Sequence, residues 1–281
     1  MSRAQVLFLT SLAMIAFAGN SLLCRQALRH TAIDPASFTA IRIASGAVTL
    51  WLVVRIRNSS GPSLGNWPSA AALFIYAAAF SFSYVTLSAA AGALLLFGAV
   101  QATMIGYGLW AGERPKKVQT LGLVMAGSGL VALLLPGLSA PPLLGTMLML
   151  AAGIAWGIYS LRGKGGGDAT RVTAGNFLRA AAFAASLGLG MLPWASWDVA
   201  GILYAISSGA LASGVGYAVW YTALRGLTAT TAASVQLSVP VIAAAGGVIF
   251  LDEPLTLRVV ICSIAILGGI ALVIANKRRD A

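Results

Sequence analysis

The chain has 281 residues, 59% of them hydrophobic and only 9% charged, with 18 Lys and Arg against 7 Asp and Glu and a formal net charge of +11. So much hydrocarbon with so few charges excludes a soluble globular domain. The basic excess, which in a soluble protein would point to nucleic acid or an acidic partner, takes a topological meaning here, and no nucleic-acid partner is expected.

Runs of about 20 apolar residues, the length of helix that crosses roughly 30 Å of hydrocarbon, fill the sequence nearly end to end. Backbone in lipid must satisfy its own hydrogen bonds, so an all-α membrane protein is expected, with the bilayer itself as a partner. Punctuation by Gly, Pro and charge predicts ten spans near 4–24, 36–54, 68–87, 90–111, 117–135, 142–161, 172–193, 199–224, 229–250 and 257–275. The first run follows Arg3 and contains Ala16-Phe17-Ala18, which mimics a secretory signal and its cleavage site. It is long enough to span and has a counterpart later in the chain, so it is read as span one. Cys24 and Cys262 lie in or beside apolar runs and are read as small packing residues, without a metal or disulfide role.

Sliding the chain on itself by about 140 residues puts Glu113 on Glu253, Leu87-Ser88-Ala89 on Leu227-Thr228-Ala229, and Gly129-Leu130 on Gly269-Ile270. One unit is therefore used twice, and the Pro- and Gly-rich loop at 136–142 divides it into halves 1–138 and 139–281. With a cytoplasmic N-terminus, 13 Lys and Arg fall inside and only Arg25, Arg29 and Arg258 fall outside. Both termini are thus expected in the cytoplasm, with the chain a multi-pass protein of the cell inner membrane. Five spans per unit is odd, so the second unit enters from the opposite face: two inverted five-helix repeats, 5+5, the common build of secondary transporters.

The residues from Ala223-Leu224-Arg225 through Thr228-Ala229-Thr230-Thr231-Ala232-Ala233, then Pro240, Glu253-Pro254 and Gly268-Gly269, resemble the drug/metabolite transporter superfamily with two EamA-type halves. The first copy keeps Ser88-Ala89-Ala90, Glu113 and Pro115 but has Val100 in place of Pro240, so a kink there is in doubt. Overall the chain is most similar to the YddG-type aromatic amino acid exporters. That resemblance implies export of small metabolites, with spans five and ten set aside from a central cavity.

Every acid, Asp34, Glu113, Asp168, Asp198, Asp252, Glu253 and Asp280, lies in a loop, a span end or the tail, and His30 lies outside the spans. Proton-coupled carriers commonly use an ionisable group at depth, so a facilitator is expected rather than a proton-coupled pump. Arg42 and Arg179 are the two charges inside spans. Each is read either as an anchor for a substrate carboxylate or as a side chain reaching toward the nearer interface and helix-end carbonyls. Gln101, Gln236, Asn20 and Asn176 are amides that suit a zwitterion or, equally, bond helices together at about 0.6 kcal/mol a pair.

Tyr217, Trp220 and Tyr221 share one face of span eight, with Ser213 and Gly214 a turn earlier, and Phe80 and Tyr84 form a shorter stripe on span three. Together with Phe17, Trp156 and Tyr159 they either line an aromatic cavity or pack against helices and lipid. Trp51, Trp67, Trp110, Trp194 and Trp197, near span ends, suit an interfacial belt. Gly153 with Gly157, and Gly108 with Gly112, are read as close-packing pairs, and the glycine run around Lys164 as a cytoplasmic linker. Glu113 and Glu253 are read as span-end caps paired with Lys116 or Arg258, a gate being the rival role.

The expectation is a carrier of amino acids with apolar or aromatic side chains, working by alternating access from a site among spans one, three, four, six, eight and nine. Other small metabolites or drugs of the same class, or a sensor or scaffold without flux, are the alternatives. An intramembrane enzyme is disfavoured because no nucleophile, metal cluster or acid pair sits at depth, and no cofactor is expected. The oligomeric state is not legible.

Overall fold

A computed structural model describes residues 1–57, 65–112, 116–135, 140–163, 168–227, 232 and 235–277. The described residues include ten helices of fourteen residues or more: α1 (Arg3–His30), α2 (Pro35–Ile56), α3 (Trp67–Tyr84), α4 (Ala89–Trp110), α5 (Lys117–Leu134), α6 (Leu143–Arg162), α7 (Ala169–Gly190), α8 (Val199–Leu224), α9 (Ser238–Leu251) and α10 (Leu257–Lys277). Eight of these, all but α3 and α9, are long and apolar enough to cross a membrane. The chain is a multi-pass helical membrane protein, and no strand occurs among the described residues.

Polar side chains at the helix starts explain where many helices begin. Ser2, Asp34, Asn66, Ser88, Asp168 and Asp198 each accept a backbone N–H of the first turn, so three of the acids placed outside the spans by sequence, Asp34, Asp168 and Asp198, are helix caps. Asp34 does more: it accepts Ala36 N and Ser37 N on one oxygen and Ser196 N on the other, tying the α1–α2 turn to the α7–α8 connection. Partial burial pushes the Asp34 carboxyl up, but the hydrogen bonds from Ser37, Ser196 and Ala36 outweigh it and hold it below its usual value of 3.8.

Packing follows a regular scheme. α2 packs on α7, α5 on α10 and α4 on α9, while α3 packs on α6 and α1 on α8. α4 also packs on α6 as α1 does on α9. Among these pairs, exchanging each helix with the one five places along returns the same set. The α5–α10 pair meets through glycine: a Cβ on Gly122 would fall 2.5 Å from the Gly269 carbonyl. α6 meets α4 at Gly153 and Gly157, where added Cβ atoms would strike Ala99 and Thr103.

Several expectations need correction. Gly112 does not pack: it follows the end of α4 at φ +95, its N–H on Leu109 O, and nothing lies within 4 Å of a Cβ placed there, so it stops the helix as only glycine does without strain. His30 lies in the last turn of α1 rather than beyond it. At Pro240, Val235 and Gln236 are helical, Leu237 is a turn and α9 runs on from Ser238, so the helical path is interrupted three residues before the proline. α4, by contrast, runs as one α-helix through Val100. α8 is not one regular helix, because Ser208–Val215 is wound as a π-helix, a form that concentrates at functional sites. Glu113, the loop at 136–139 and the glycine run at 164–167 lie outside the described residues.

Candidate functional site

Five helices and the chain just before α9 enclose a narrow cavity near the helix midpoints, lined by Phe17, Asn20 and Ser21 of α1, Tyr76 and Phe80 of α3, Leu96 and Phe97 of α4, Trp156 of α6, Ala212, Ser213 and Tyr217 of α8, and Gln236 just before α9. These are the six spans expected from sequence. In the described conformation about 30 Å³ is open to water centres, room for a water or two but not for an organic solute.

Aromatic rings form most of the wall because α3 and α8 present them at helical spacing. Tyr76 lies 5.5 Å from Phe80 and 4.7 Å from Trp156, which in turn lies 5.2 Å from Tyr217 and 5.4 Å from Tyr159. Phe17 meets Tyr217 and Trp220 edge-on at 5.8 and 5.9 Å. Edge-to-face and offset contacts of this kind hold rings in place while leaving faces toward the cavity.

Arg42 stands directly behind this wall. It is 2% exposed, and its guanidinium rests on lining residues: Nη2 donates to the Tyr76 hydroxyl at 3.0 Å, Nε reaches Ser213 Oγ at 3.5 Å, and Cζ sits 4.9 Å from the Phe80 ring centre and 5.2 Å from that of Tyr76. The π-helix is what brings α8 this close. Gly209 packs on the Arg42 carbonyl and Ser45 Oγ with no space for a Cβ, and Gly214 packs on Thr49. Asn20 completes the polar set, donating to the Tyr76 hydroxyl at 3.4 Å and accepting from Ser208 Oγ at 2.6 Å. Arg42 Nη1 is buried with no hydrogen-bond partner, and among the described residues no carboxylate pairs with this cation.

Polar clusters close off the two ends of the bundle. At one end Arg25 Nε pairs with Glu253 Oε1 at 2.7 Å, and Arg25 Nη1 donates to the carbonyls of Tyr84 and Val85. Glu253 Oε2 accepts Ala89 N, the first turn of α4, at 2.7 Å. This corrects the expected Glu253–Arg258 pair: Arg258 instead donates to the carbonyls of Ala132 and Leu135 at the end of α5. Asp252 adopts φ 51, turning the chain so that Glu253 points back over the bundle. At the other end Asn176 accepts Asn66 N at 2.9 Å and donates to the Tyr159 hydroxyl at 3.4 Å, while Arg162 bonds Ser69 and Asn66.

Of the residues singled out by sequence, Phe17, Asn20, Phe80, Trp156, Tyr217 and Gln236 meet at the cavity, with Arg42 behind it. Trp220 packs on Phe17 rather than lining the space, and Tyr84 is buried beyond Phe80, against Gly92. Tyr159, Asn176 and Tyr221 belong to the other end, joined to the wall through Trp156. Gln101 is buried without lining the cavity. Arg179 is half-buried and donates to the Gly175 carbonyl one turn back in its own helix. Tyr76 and Arg25 were missed. Tyr76 had a signal, being one step further along the Phe80–Tyr84 stripe at four-residue spacing.

A cavity at mid-depth in a multi-span helical protein, aromatic-walled and backed by a buried cation, has the build of a membrane carrier for a small solute. Residues 143–275 match the EamA-like transporter family, so this part of the chain carries an EamA-like transporter domain. It is 58% identical over 274 residues to "Uncharacterized protein PA1977" of Pseudomonas aeruginosa, covering 97% of this chain and 96% of that one. A solved structure titled "Crystal structure of protein" superposes with a TM-score of 0.68 at 19% identity, covering 99% of this chain and 100% of the other, a likeness of fold.

Proposed function

We propose that the protein exports small metabolites, foremost amino acids with apolar or aromatic side chains, across the cell inner membrane by alternating access. The carrier has ten spans in two inverted five-helix halves, 1–138 and 139–281, with both termini cytoplasmic. The observation that carries this reading is the cavity itself: it lies at mid-helix and draws its wall from both halves, Phe17 to Phe97 from the first and Trp156 to Gln236 from the second. The five-place exchange symmetry of helix neighbours supports inversion, because relative motion of two similar halves about a shared site exchanges the end that is open. The likeness to the YddG-type aromatic amino acid exporters belongs to the same proposal.

The cycle is facilitative. Among the described residues Asp and Glu sit at helix ends and connections, and the one His at the end of α1, which leaves the cavity without a carboxylate or imidazole to carry a proton. Because the described cavity holds a water or two, substrate entry requires one end to part. The Arg25–Glu253 cluster bridges α1 and the α9–α10 connection there. Liposomes holding purified protein, given labelled phenylalanine, threonine, lysine, glutamate or a dicationic drug without an ion gradient, test the reading. Entry of apolar and aromatic amino acids that stops at equilibrium is expected. Accumulation driven by a pH gradient alone refutes the facilitative cycle, and no entry of any compound by folded protein refutes the carrier.

A further inference from the structure

Two donors distinguish the polar groups at and behind the cavity wall. Arg42 Nη1 has no partner, although the side chain is buried. The Tyr76 hydroxyl accepts from both Arg42 Nη2 and Asn20 Nδ2, which uses its two lone pairs and leaves its O–H proton to donate elsewhere. Tyr76 lines the cavity and Arg42 lies behind it, against the Tyr76 and Phe80 rings, so a charged donor stands one side chain away from the small space that the Tyr76 hydroxyl borders. A buried cation without a counter-charge is costly to fold around, and an anion entering the cavity supplies what the protein omits.

The same wall offers little to a cation. Among the described residues no Asp or Glu lines it. The Asn20 amide oxygen is already held by Ser208 Oγ at 2.6 Å, which leaves only neutral oxygens there, the Gln236 amide and the Ser21, Ser213 and Tyr217 hydroxyls. The faces of Tyr76 and Phe80, the natural seats for an ammonium, are occupied by Arg42 itself, which would also repel a second positive charge. The rings of Phe17, Trp156 and Tyr217 remain, and they suit a flat apolar group.

We propose that Arg42 and Tyr76 form a carboxylate anchor for a flat, apolar or aromatic monocarboxylate, and that the amino group of an amino acid is dispensable for binding. This rests on the carrier reading only for its location; the site is defined by its donors. An aromatic organic acid without an amino group then binds at least as well as the matching amino acid, and an aromatic amine without a carboxylate binds poorly.

Binding of four probes to the purified full-length protein by titration calorimetry tests this: 3-phenylpropionate, phenylalanine, 2-phenylethylamine and 3-phenylpropionamide. Phenylpropionate should bind at least as tightly as phenylalanine, with the amine and the amide at least tenfold weaker. Arg42→Lys, which keeps the charge but loses the fork, should weaken phenylpropionate at least tenfold, and Tyr76→Phe several-fold while leaving the ring in place. Each variant is first shown to be folded by its thermal unfolding, and Tyr76→Phe tests the anchor even if the Arg42 variant fails to fold. The proposal is overturned if the amine or amide matches phenylpropionate, if phenylpropionate does not bind to folded protein, or if Tyr76→Phe binds unchanged. Phenylpropionate binding with no flux of any solute in liposomes upholds the anchor and refutes the carrier; amine flux without phenylpropionate binding does the reverse.

Discussion

Glu253 and Arg25 offer the sharpest test of how the bundle is held together, because they are 228 residues apart in sequence and bridge helices from both ends of the chain. The pair is short, at 2.7 Å, and its side chains are 10% and 14% exposed, which places it between a surface ion pair, typically about 0–1 kcal/mol, and a buried one, whose disruption costs about 3–5 kcal/mol. Glu253→Gln keeps the shape and an acceptor for Ala89 N but removes the charge facing Arg25. Arg25→Met keeps the apolar stem and abandons the carbonyls of Tyr84 and Val85 as well. Taking about 1.5–3 kcal/mol for a charge-assisted hydrogen bond, each single change should destabilise by roughly 2 kcal/mol, with Arg25→Met the larger. The double variant should then lose less than the sum by about 1.5 kcal/mol, since the second change removes a partner already lost. Reversible unfolding of the four proteins in mixed micelles measures the cycle. Additivity within about 0.5 kcal/mol would refute the claim that the ion pair, rather than each residue's other bonds, holds this end closed.

Two further substitutions test separate contacts. Gly153→Ala puts a Cβ 2.5 Å from Ala99 Cβ and 2.6 Å from the Leu96 carbonyl, so the α4–α6 contact must spread at a cost of about 1–3 kcal/mol, whereas Gly106→Ala meets nothing within 4 Å and should not destabilise; equal unfolding midpoints for the two would refute the close-packing argument. The Asp34 carboxyl is held below its usual value of 3.8, so its hydrogen bonds add stability above that pH and lose it as pH falls through the lowered folded value. The stability gap between wild type and Asp34→Asn should therefore be widest near neutral pH and narrow below about pH 3.8, and a gap independent of pH between 7 and 3 would refute it.

The helices were legible from local features of the chain. Apolar runs marked the spans, and their ends were written in Asp34-Pro35, Asn66-Trp67-Pro68, Ser88 and Asp198, whose side chains cap from one place in the chain to the next turn. The aromatic stripes were legible for the same reason, since spacing along one helix is a sequence property. What spacing does not carry is register between helices. Glu253 had Arg258 five residues away and a near neighbour seemed the natural partner, yet the left-handed Asp252 swings the carboxylate toward α1, where Arg25 waits. The π-helical winding of Ser208–Val215 is likewise a compromise with α2, and only the small residues Gly209 and Gly214 hint that something must come close.

Arg42 and Arg179 show most clearly where sequence stops. Both are arginines about two turns into an apolar helix, and both admitted the reading of a long side chain reaching for an interface. Arg179 does find a carbonyl of its own helix, at Gly175, and remains half-buried. Arg42 is shut in by Tyr76 and Phe80 from α3 and Ser213 from α8, residues 34 or more places away in the chain, and no interface is within its reach at 2% exposure. An arginine that merely avoided lipid would be expected to turn its donors to nearby carbonyls and water, as the exposed Arg258 does with Nε and Nη2 at the end of α5. Arg42 leaves one donor without a partner and braces two others against the cavity wall, so the feature that distinguishes it is not its depth but the absence of its partner.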